Sequence, residues 1–403
     1  MTEAEHTHYE PLTEKTALEL VHRLGLFEDA GSLSCREIGD GNLNYVFRIT
    51  EKDTSKGIII KQALPYAKVI GESWPLTIKR AAIEANALVI FRSYCKEYVP
   101  KIYYSDEKLA ITVMEDLSHL TIAREGLING EEFPLLSKHI GEYIAKTLFY
   151  TSDYFLAHTK KKELARQFSN PELCHITETF VFTDPFFDSE SNDYEAELKE
   201  EVQAIWQNNL LKLEVAKLKK SFLTEQEALL HGDLHTGSIF AGRQETKVID
   251  PEFSFYGPIG FDLGQYIANL LFQAFSRSQD SKEAIFTHLH DVWDSFTEVF
   301  TALWNAQGQE AFCRTEGYLE FVLNKVTNDA FGFAGCELIR RTIGLSHVKD
   351  LDGIQDKDAR ISAKKVALRI GEFLIKNRKH LDISLVTEAV SQHNLSLSYT
   401  AKL

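Results

Sequence analysis

The sequence predicts an α+β protein of two lobes, an antiparallel-sheet lobe followed by a mainly helical one. Three observations carry this expectation. Short β-branched stretches crowd the region before residue 116, whereas helical periodicity dominates after it. A chain of 403 residues exceeds one small domain and suits two. No Gly/Ser-rich linker separates the halves, so the lobes 1–115 and 116–403 are expected to join tightly.

Residues 13–25 place Leu18, Val21 and Leu24 at helical spacing. Strands are expected near 33–38, 44–51 and 57–63. The turn Gly39-Asp40-Gly41 separates the first two, and Asp53-Thr54-Ser55-Lys56-Gly57 joins the next pair. A helix opened by Pro75 is expected over 75–94, then strands near 101–105 and 109–114. Beyond Asp116, helical patterns fall at about 131–153, 160–180, 190–219, 260–275, 281–304 and 359–378. A hairpin-like stretch around 231–250 interrupts them.

The net charge of −15 argues against non-specific contact with nucleic acid or anionic lipid. Nor does any basic stripe interleaved with aromatics suggest a nucleic-acid partner. Five scattered cysteines, without a C-x-x-C pair, are expected to be reduced thiols of a cytoplasmic protein. The acidic start MTEAEHTHYE does not read as a secretory signal, and no apolar run approaches the ~18 residues of a membrane span.

Several segments carry chemistry. In Gly39-Asp40-Gly41-Asn42-Leu43-Asn44-Tyr45-Val46-Phe47, a glycine turn between strands lets backbone N–H groups approach phosphate oxygens, with Asn44 where a third glycine would stand. A plain hairpin turn is the other reading. Lys61 ends the apolar strand Ile58-Ile59-Ile60 and either snorkels to solvent or meets phosphates, oriented by Glu84 on the next helix. After the strand 109–113, Met114-Glu115-Asp116-Leu117 is either a simple strand exit or an extended backbone offering a donor and an acceptor to an adenine edge.

The strongest segment is His231-Gly232-Asp233-Leu234-His235-Thr236-Gly237-Ser238-Ile239. It resembles the kinase loop H-x-D-x-x-x-x-N, in which the aspartate takes the proton of the attacking hydroxyl. Ser238 stands where a metal-contacting asparagine is expected. His235 reads more readily as a loop-packing residue. In Val248-Ile249-Asp250-Pro251-Glu252, two carboxylates offer hard oxygens to Mg²⁺. Asp262 either caps a helix or supports the Asp233 loop from beneath. Arg340-Arg341 is either a solvated basic step or a pair of guanidinium donors for hydroxyls and a transferring phosphoryl group. The order of these segments meets what phosphoryl transfer from ATP demands.

These residues resemble the aminoglycoside phosphotransferase and choline kinase branch of the protein-kinase-like superfamily. The closer resemblance, on G-D-G-N-L-N-Y-V-F, H-G-D-L-H-T-G-S-I, D-P-E and the arginine pair, is to its methylthioribose kinase family. It implies a protein-kinase-like fold and a homodimer. It also implies ATP-dependent, Mg²⁺-assisted phosphorylation of the 1-hydroxyl of 5-methylthioribose in methionine salvage. By matching motif, Asn44, Lys61, Glu115, Asp116, Leu117, Asp250, Pro251 and Glu252 would contact the nucleotide. Asp250, Glu252 and Ser238 would serve the metal, Asp233 would be the base, and Asp233, Arg340 and Arg341 would meet the sugar. The competing readings are a kinase for choline, an aminoglycoside or homoserine, and a catalytically inactive nucleotide-binding scaffold.

Overall fold

The computed structural model describes residues 9–27, 33–38, 44–52, 54, 56–67 and 71–392. The chain divides into two compact units, Met1–Thr121 with Lys247–Ser254, and Ile122–Thr246 with Phe255–Leu403. The sequence boundary was expected near residue 116, with everything beyond it in one lobe. In the structure the short segment 247–254 clusters with the first unit. The Val248 N–H donates to the Tyr98 carbonyl at 2.8 Å, and Pro251–Phe253 packs on the helix that carries Glu84.

The first unit opens with α1 (Glu14–Leu24). Thr13 caps it by accepting from Thr16 N–H, and Gly25 ends it in the left-handed region. Five antiparallel strands follow in the spatial order β1 (Leu33–Glu37), β2 (Asn44–Glu51), β3 (Gly57–Ala63), β7 (Ile111–Glu115), β6 (Ile102–Asp106). Side-chain alternation sorts this sheet's two faces. Phe47, Ile49, Ile58, Ile60, Ile111 and Val113 form one core with Ala17, Leu20 and Val21 of α1. Lys61 has the opposite parity to Ile58 and Ile60, so it leaves the other face of β3. The expected turn Gly39-Asp40-Gly41, like Asn42, Leu43, Asp53 and Ser55, lies outside the described residues.

The expected helix over 75–94 begins instead at Arg80, giving α2 (Arg80–Tyr94). Upstream, β4 (Tyr66–Ala67) and β5 (Gly71–Pro75) pair antiparallel. The residue before a proline is pushed toward extended backbone, so Trp74-Pro75 continues a strand rather than opening a helix.

The second unit is mainly helical, with α3 (Ala123–Ile128), α4 (Leu136–Thr151), α5 (His158–Gln167), α6 (Pro171–Phe180), α7 (Lys199–Gln207), α8 (Asn209–Thr224), α9 (Gly260–Phe275), α10 (Gln279–Gln307), α11 (Tyr318–Ile343), α12 (Lys349–Asp352), α13 (Lys357–Asn377) and α14 (Ile383–Gln392) beside a few short strands. Thus the α+β expectation holds. Two expected helices are each two. Pro171 sits in the first turn of α6 and separates it from α5, while Asn208 accepts from Leu211 N–H and starts α8 afresh. Helix α11 was absent from the expected helical stretches. Every residue from Asp329 to Ile343 is buried, so no one-sided apolar stripe marks it. Among the described residues no helix is long and apolar enough to cross a membrane.

Helices α9 and α11 approach closely because Gly260 and Gly264 lie one turn apart. A Cβ on Gly264 would stand 2.5 Å from the Ala330 carbonyl oxygen, and one on Gly260 2.8 Å from the Ala330 nitrogen. Gly264→Val is therefore expected to cost at least about 1–3 kcal/mol by overpacking. A melting curve checks this, and an unshifted curve would contradict the close approach.

Candidate active site

One group of candidate residues lies within the first unit. Lys61 is 8% exposed. Its Nζ donates to Glu84 Oε1 at 2.9 Å and also pairs with Asp250. Burial lifts the Glu84 carboxyl above its ordinary value, against the pull of Lys61. Asp250 adopts φ 67°, a left-handed conformation that a non-glycine residue takes at some cost. The following Pro251 starts a single helical turn, Pro251–Phe253. Glu252 is buried, and its Oε2 accepts from Arg80 Nε at 3.1 Å. Asn44, also buried, receives Arg80 Nη2 at 3.4 Å.

At the end of β7, two expected nucleotide contacts turn their carboxylates back to the sheet unit. Glu115 accepts from Lys101 N–H at 2.9 Å, and Asp116 from Arg48 Nε at 2.7 Å and Ser118 N–H at 2.9 Å. Burial alone would raise the Asp116 carboxyl, but Ser118 and Arg48 hold it below the ordinary range. Leu117 is buried. Both acids at this exit are thus engaged within the first unit, as are the Glu115 N–H, which donates to the Lys101 carbonyl, and the Leu117 carbonyl, which accepts from Leu120 N–H.

A second group lies within the second unit, around the Asp233 loop. Gly232 turns the chain with φ 86°. Asp262 accepts from His231 N–H at 2.6 Å and Gly232 N–H at 2.9 Å, the supporting role that was one of the two expected from sequence. Burial pushes the Asp262 carboxyl up to about 7, with those two N–H groups opposing the shift. Gln265 accepts from Leu234 N–H at 2.9 Å, and Asn269 from Thr236 Oγ1 at 3.4 Å. Asp262, Gln265 and Asn269 recur at helical spacing, so one polar stripe of the otherwise apolar α9 braces the loop, and Gln273, one turn further on, donates to Asp350 instead. That stripe was legible as a period, yet sequence reasoning singled out only Asp262.

Asp233 sits beside two guanidinium groups and an imidazole. The Nη2 atoms of Arg340 and Arg341 each lie 3.7 Å from its Oδ1, and His235 Nε2 lies 3.5 Å from its Oδ2. Burial would raise this carboxyl, but His235, Arg341 and Arg340 outweigh it and hold the pKa far below the ordinary range. His235 Nδ1 accepts from Gly237 N–H at 3.0 Å, which puts the proton of the neutral ring on Nε2, facing Asp233. Burial depresses the His235 pKa, so the neutral form is favoured. This places His235 at the site, beyond the packing role expected of it.

Both arginines reach one carboxylate because Glu337 turns them. Its Oε2 accepts from Arg340 Nε at 2.6 Å and its Oε1 from Arg341 Nε at 2.9 Å. Sequence reasoning missed Glu337, although the i, i+3 and i, i+4 spacings were visible. It also missed Arg124, whose Nη2 donates to Asn269 at 2.7 Å and whose Nε lies 3.2 Å from Asp350 Oδ2.

Fit to a divalent cation differs among the three expected ligands. Among the described residues, no three His, Cys, Asp or Glu side chains form a ready metal centre. Asp250 fits, offering hard oxygens from a side chain 44% exposed. Glu252 fits as a second carboxylate shared with Arg80. The Ser238 hydroxyl is engaged within its own loop, donating to the His235 carbonyl at 2.8 Å and accepting from His235 N–H at 3.2 Å.

A model of the phosphotransferase enzyme family matches residues 34–299. The methylthioribose kinase of Geobacillus sp. (strain WCH70) is 62% identical over 375 residues, covering 93% of this chain and 94% of that protein. The methylthioribose kinase of Geobacillus kaustophilus (strain HTA426) is 62% identical over 379 residues, with 94% and 96% covered. The same-named protein of Bacillus thuringiensis (strain Al Hakam) is 57% identical over 378 residues, also with 94% and 96% covered. Among solved structures, an ethanolamine kinase of Plasmodium vivax is 16% identical and covers 89% of each chain at a TM-score of 0.48. Family membership and the antiparallel-sheet and helical units agree with the protein-kinase-like class implied by the motifs. This chain, a small-molecule kinase, belongs to the phosphotransferase enzyme family and, within it, to the methylthioribose kinase family.

Proposed function

We propose that this enzyme transfers the γ-phosphoryl group of ATP to the 1-hydroxyl of 5-methylthioribose, giving the 1-phosphate in methionine salvage. The observation that carries the reading is Asp233, held ionised between two arginines that Glu337 orients, in a chain 62% identical to methylthioribose kinases. Twin guanidinium groups suit a neutral sugar becoming an anionic phosphate. They would repel the cationic choline or aminoglycoside of the competing readings.

In this reading the first unit supplies the nucleotide groups and the second the base and the sugar contacts. Lys61 meets the phosphates, oriented by Glu84. The backbone at Glu115–Leu117 meets the adenine edge, and Asn44 with the Asp250-Pro251-Glu252 segment completes the nucleotide contacts. Asp250, with Glu252, would hold Mg²⁺, which neutralises phosphate charge when bound. Ser238 supports the loop instead. Asp233 accepts a hydrogen bond from the sugar hydroxyl. The arginine Nη2 atoms, at 3.7 Å, stand at ion-pair rather than hydrogen-bond distance and leave its lone pairs available. Held ionised by its neighbours, Asp233 orients the nucleophile and accepts its proton in a loose transition state. The same reading makes the enzyme a cytoplasmic homodimer.

ADP release with Mg-ATP tests the reading against methylthioribose, ribose, choline, homoserine and an aminoglycoside. Turnover confined to methylthioribose is expected. Faster turnover of choline or an aminoglycoside would discard the substrate, and ATP binding without any turnover would favour the scaffold. Asp250→Asn is expected to lower turnover by at least about tenfold and to raise the Mg²⁺ concentration needed for half activity.

A further inference from the structure

Arg80 is wholly buried at the start of α2. A buried guanidinium is costly unless its donors are met, and stability alone is often served as well by an apolar pair. Here Nη1 donates to the carbonyls of Leu64 at 2.7 Å and Thr77 at 2.9 Å, which fix the group in place. Nε reaches Glu252 at 3.1 Å and Nη2 reaches Asn44 at 3.4 Å. The fork thus joins Asn44, the first residue of β2, to the second acid of Asp-Pro-Glu. Arg80 and Glu84 stand four apart on α2 and share a face. That face holds Lys61 through Glu84 and Glu252 through Arg80.

Charge gives the arrangement a second consequence. Lys61 and Arg80 face three carboxylates, Glu84, Asp250 and Glu252. The affinity of a carboxylate site for a hard cation rises with its uncompensated charge. We infer that Arg80 is a positioning residue that fixes Asn44 and Glu252 for the nucleotide. By offsetting Glu252, it also keeps a free divalent cation from binding tightly before the nucleotide arrives. This rests on the metal reading of Asp250 and Glu252. The influence of Glu252 on Glu84, which adds to burial in raising that carboxyl, agrees with the closeness of the two acids.

The test uses the full chain at pH 8 and two binding measurements. Mn²⁺ is titrated into nucleotide-free enzyme by electron paramagnetic resonance, and Mg-ATP affinity is measured by calorimetry. Arg80→Met is expected to bind Mn²⁺ about tenfold more tightly and Mg-ATP about tenfold more weakly, the size of one charged hydrogen bond. The KM for the sugar should not move. A merely structural arginine would not drive the two affinities in opposite directions, and unchanged affinities overturn the inference. Should Arg80→Met not fold, Arg80→Lys keeps the charge and loses the fork. It should bind Mn²⁺ as the parent does and Mg-ATP about tenfold more weakly, and unchanged Mg-ATP affinity overturns the positioning role. Asp250→Asn separates the two readings. If it leaves Mn²⁺ binding unchanged, the metal reading falls and this inference with it. If it abolishes Mn²⁺ binding while the Arg80 variants match the parent, the inference alone fails.

Discussion

Asp233→Asn should lower turnover by at least about 10²-fold, the range of a positioned base, with ATP affinity nearly unchanged. The substitution keeps shape and removes charge. Its amide can still accept from the sugar hydroxyl but cannot take the proton. The loop itself should survive, because Asp262 and Gln265 hold its backbone at His231, Gly232 and Leu234, independently of the Asp233 side chain. Near-normal kcat would remove Asp233 from the mechanism. The sign of its pKa shift adds a pH prediction. His235 and the two arginines hold the carboxyl below its unfolded value. The stability this contributes is present above the ordinary aspartate pKa and lost as pH falls through the folded value. Asp233 therefore stays ionised across the working range, and an acid limb of kcat/KM near the ordinary carboxylate range should persist unmoved when Glu is placed at 233. A limb that shifts with that substitution would show Asp233 titrating there.

Much of this was legible in the chain. Strand parity put Ile58 and Ile60 on one face and Lys61 on the other, and the order of lysine, helix glutamate, H-x-D loop and D-x-E specified which residues to compare. What stayed hidden depends on burial. Glu337, three and four residues before the arginine pair, reads in sequence as an ordinary surface ion pair. Only the packing of α11 on every face makes it the hinge of the pair. Arg80 reads as one more basic residue near a helix start until Leu64, Thr77, Glu252 and Asn44 are seen to surround it. The second half of helix α11, Asp329–Ile343, escaped because periodicity reports contrast between faces, and a segment buried all round has none. The Pro75 error has another origin. Proline suits a first helical turn, yet its restriction on Trp74 suits a strand end equally, and pairing with β4 decided between them.

Glu337→Leu is expected to be the most destabilising of the substitutions considered, by about 3–5 kcal/mol. The leucine fills most of the volume, so the loss is electrostatic rather than a cavity. Two buried guanidinium groups would then share Asp233 as their nearest carboxylate, leaving an uncompensated charge in the interior. Such a cost is a large share of the ~5–15 kcal/mol that holds a typical protein folded. Burial alone would raise the Glu337 carboxyl, but Arg340 and Arg341 hold it below its ordinary value. The pair's contribution is thus present above the ordinary glutamate pKa and fades as pH falls below it. Glu337→Gln separates stability from catalysis. It keeps one acceptor oxygen and sets an NH₂ group against the other guanidinium, so one arginine remains oriented and the other is displaced. The expected outcome is a folded enzyme with a smaller loss of stability and a raised KM for methylthioribose. Its nucleotide affinity should be unchanged, because the nucleotide contacts proposed above belong to the other unit. Urea unfolding and steady-state kinetics measure both. A Gln variant with parental sugar KM and kcat would mean that the arginines find Asp233 without Glu337, and that the carboxylate serves the fold alone.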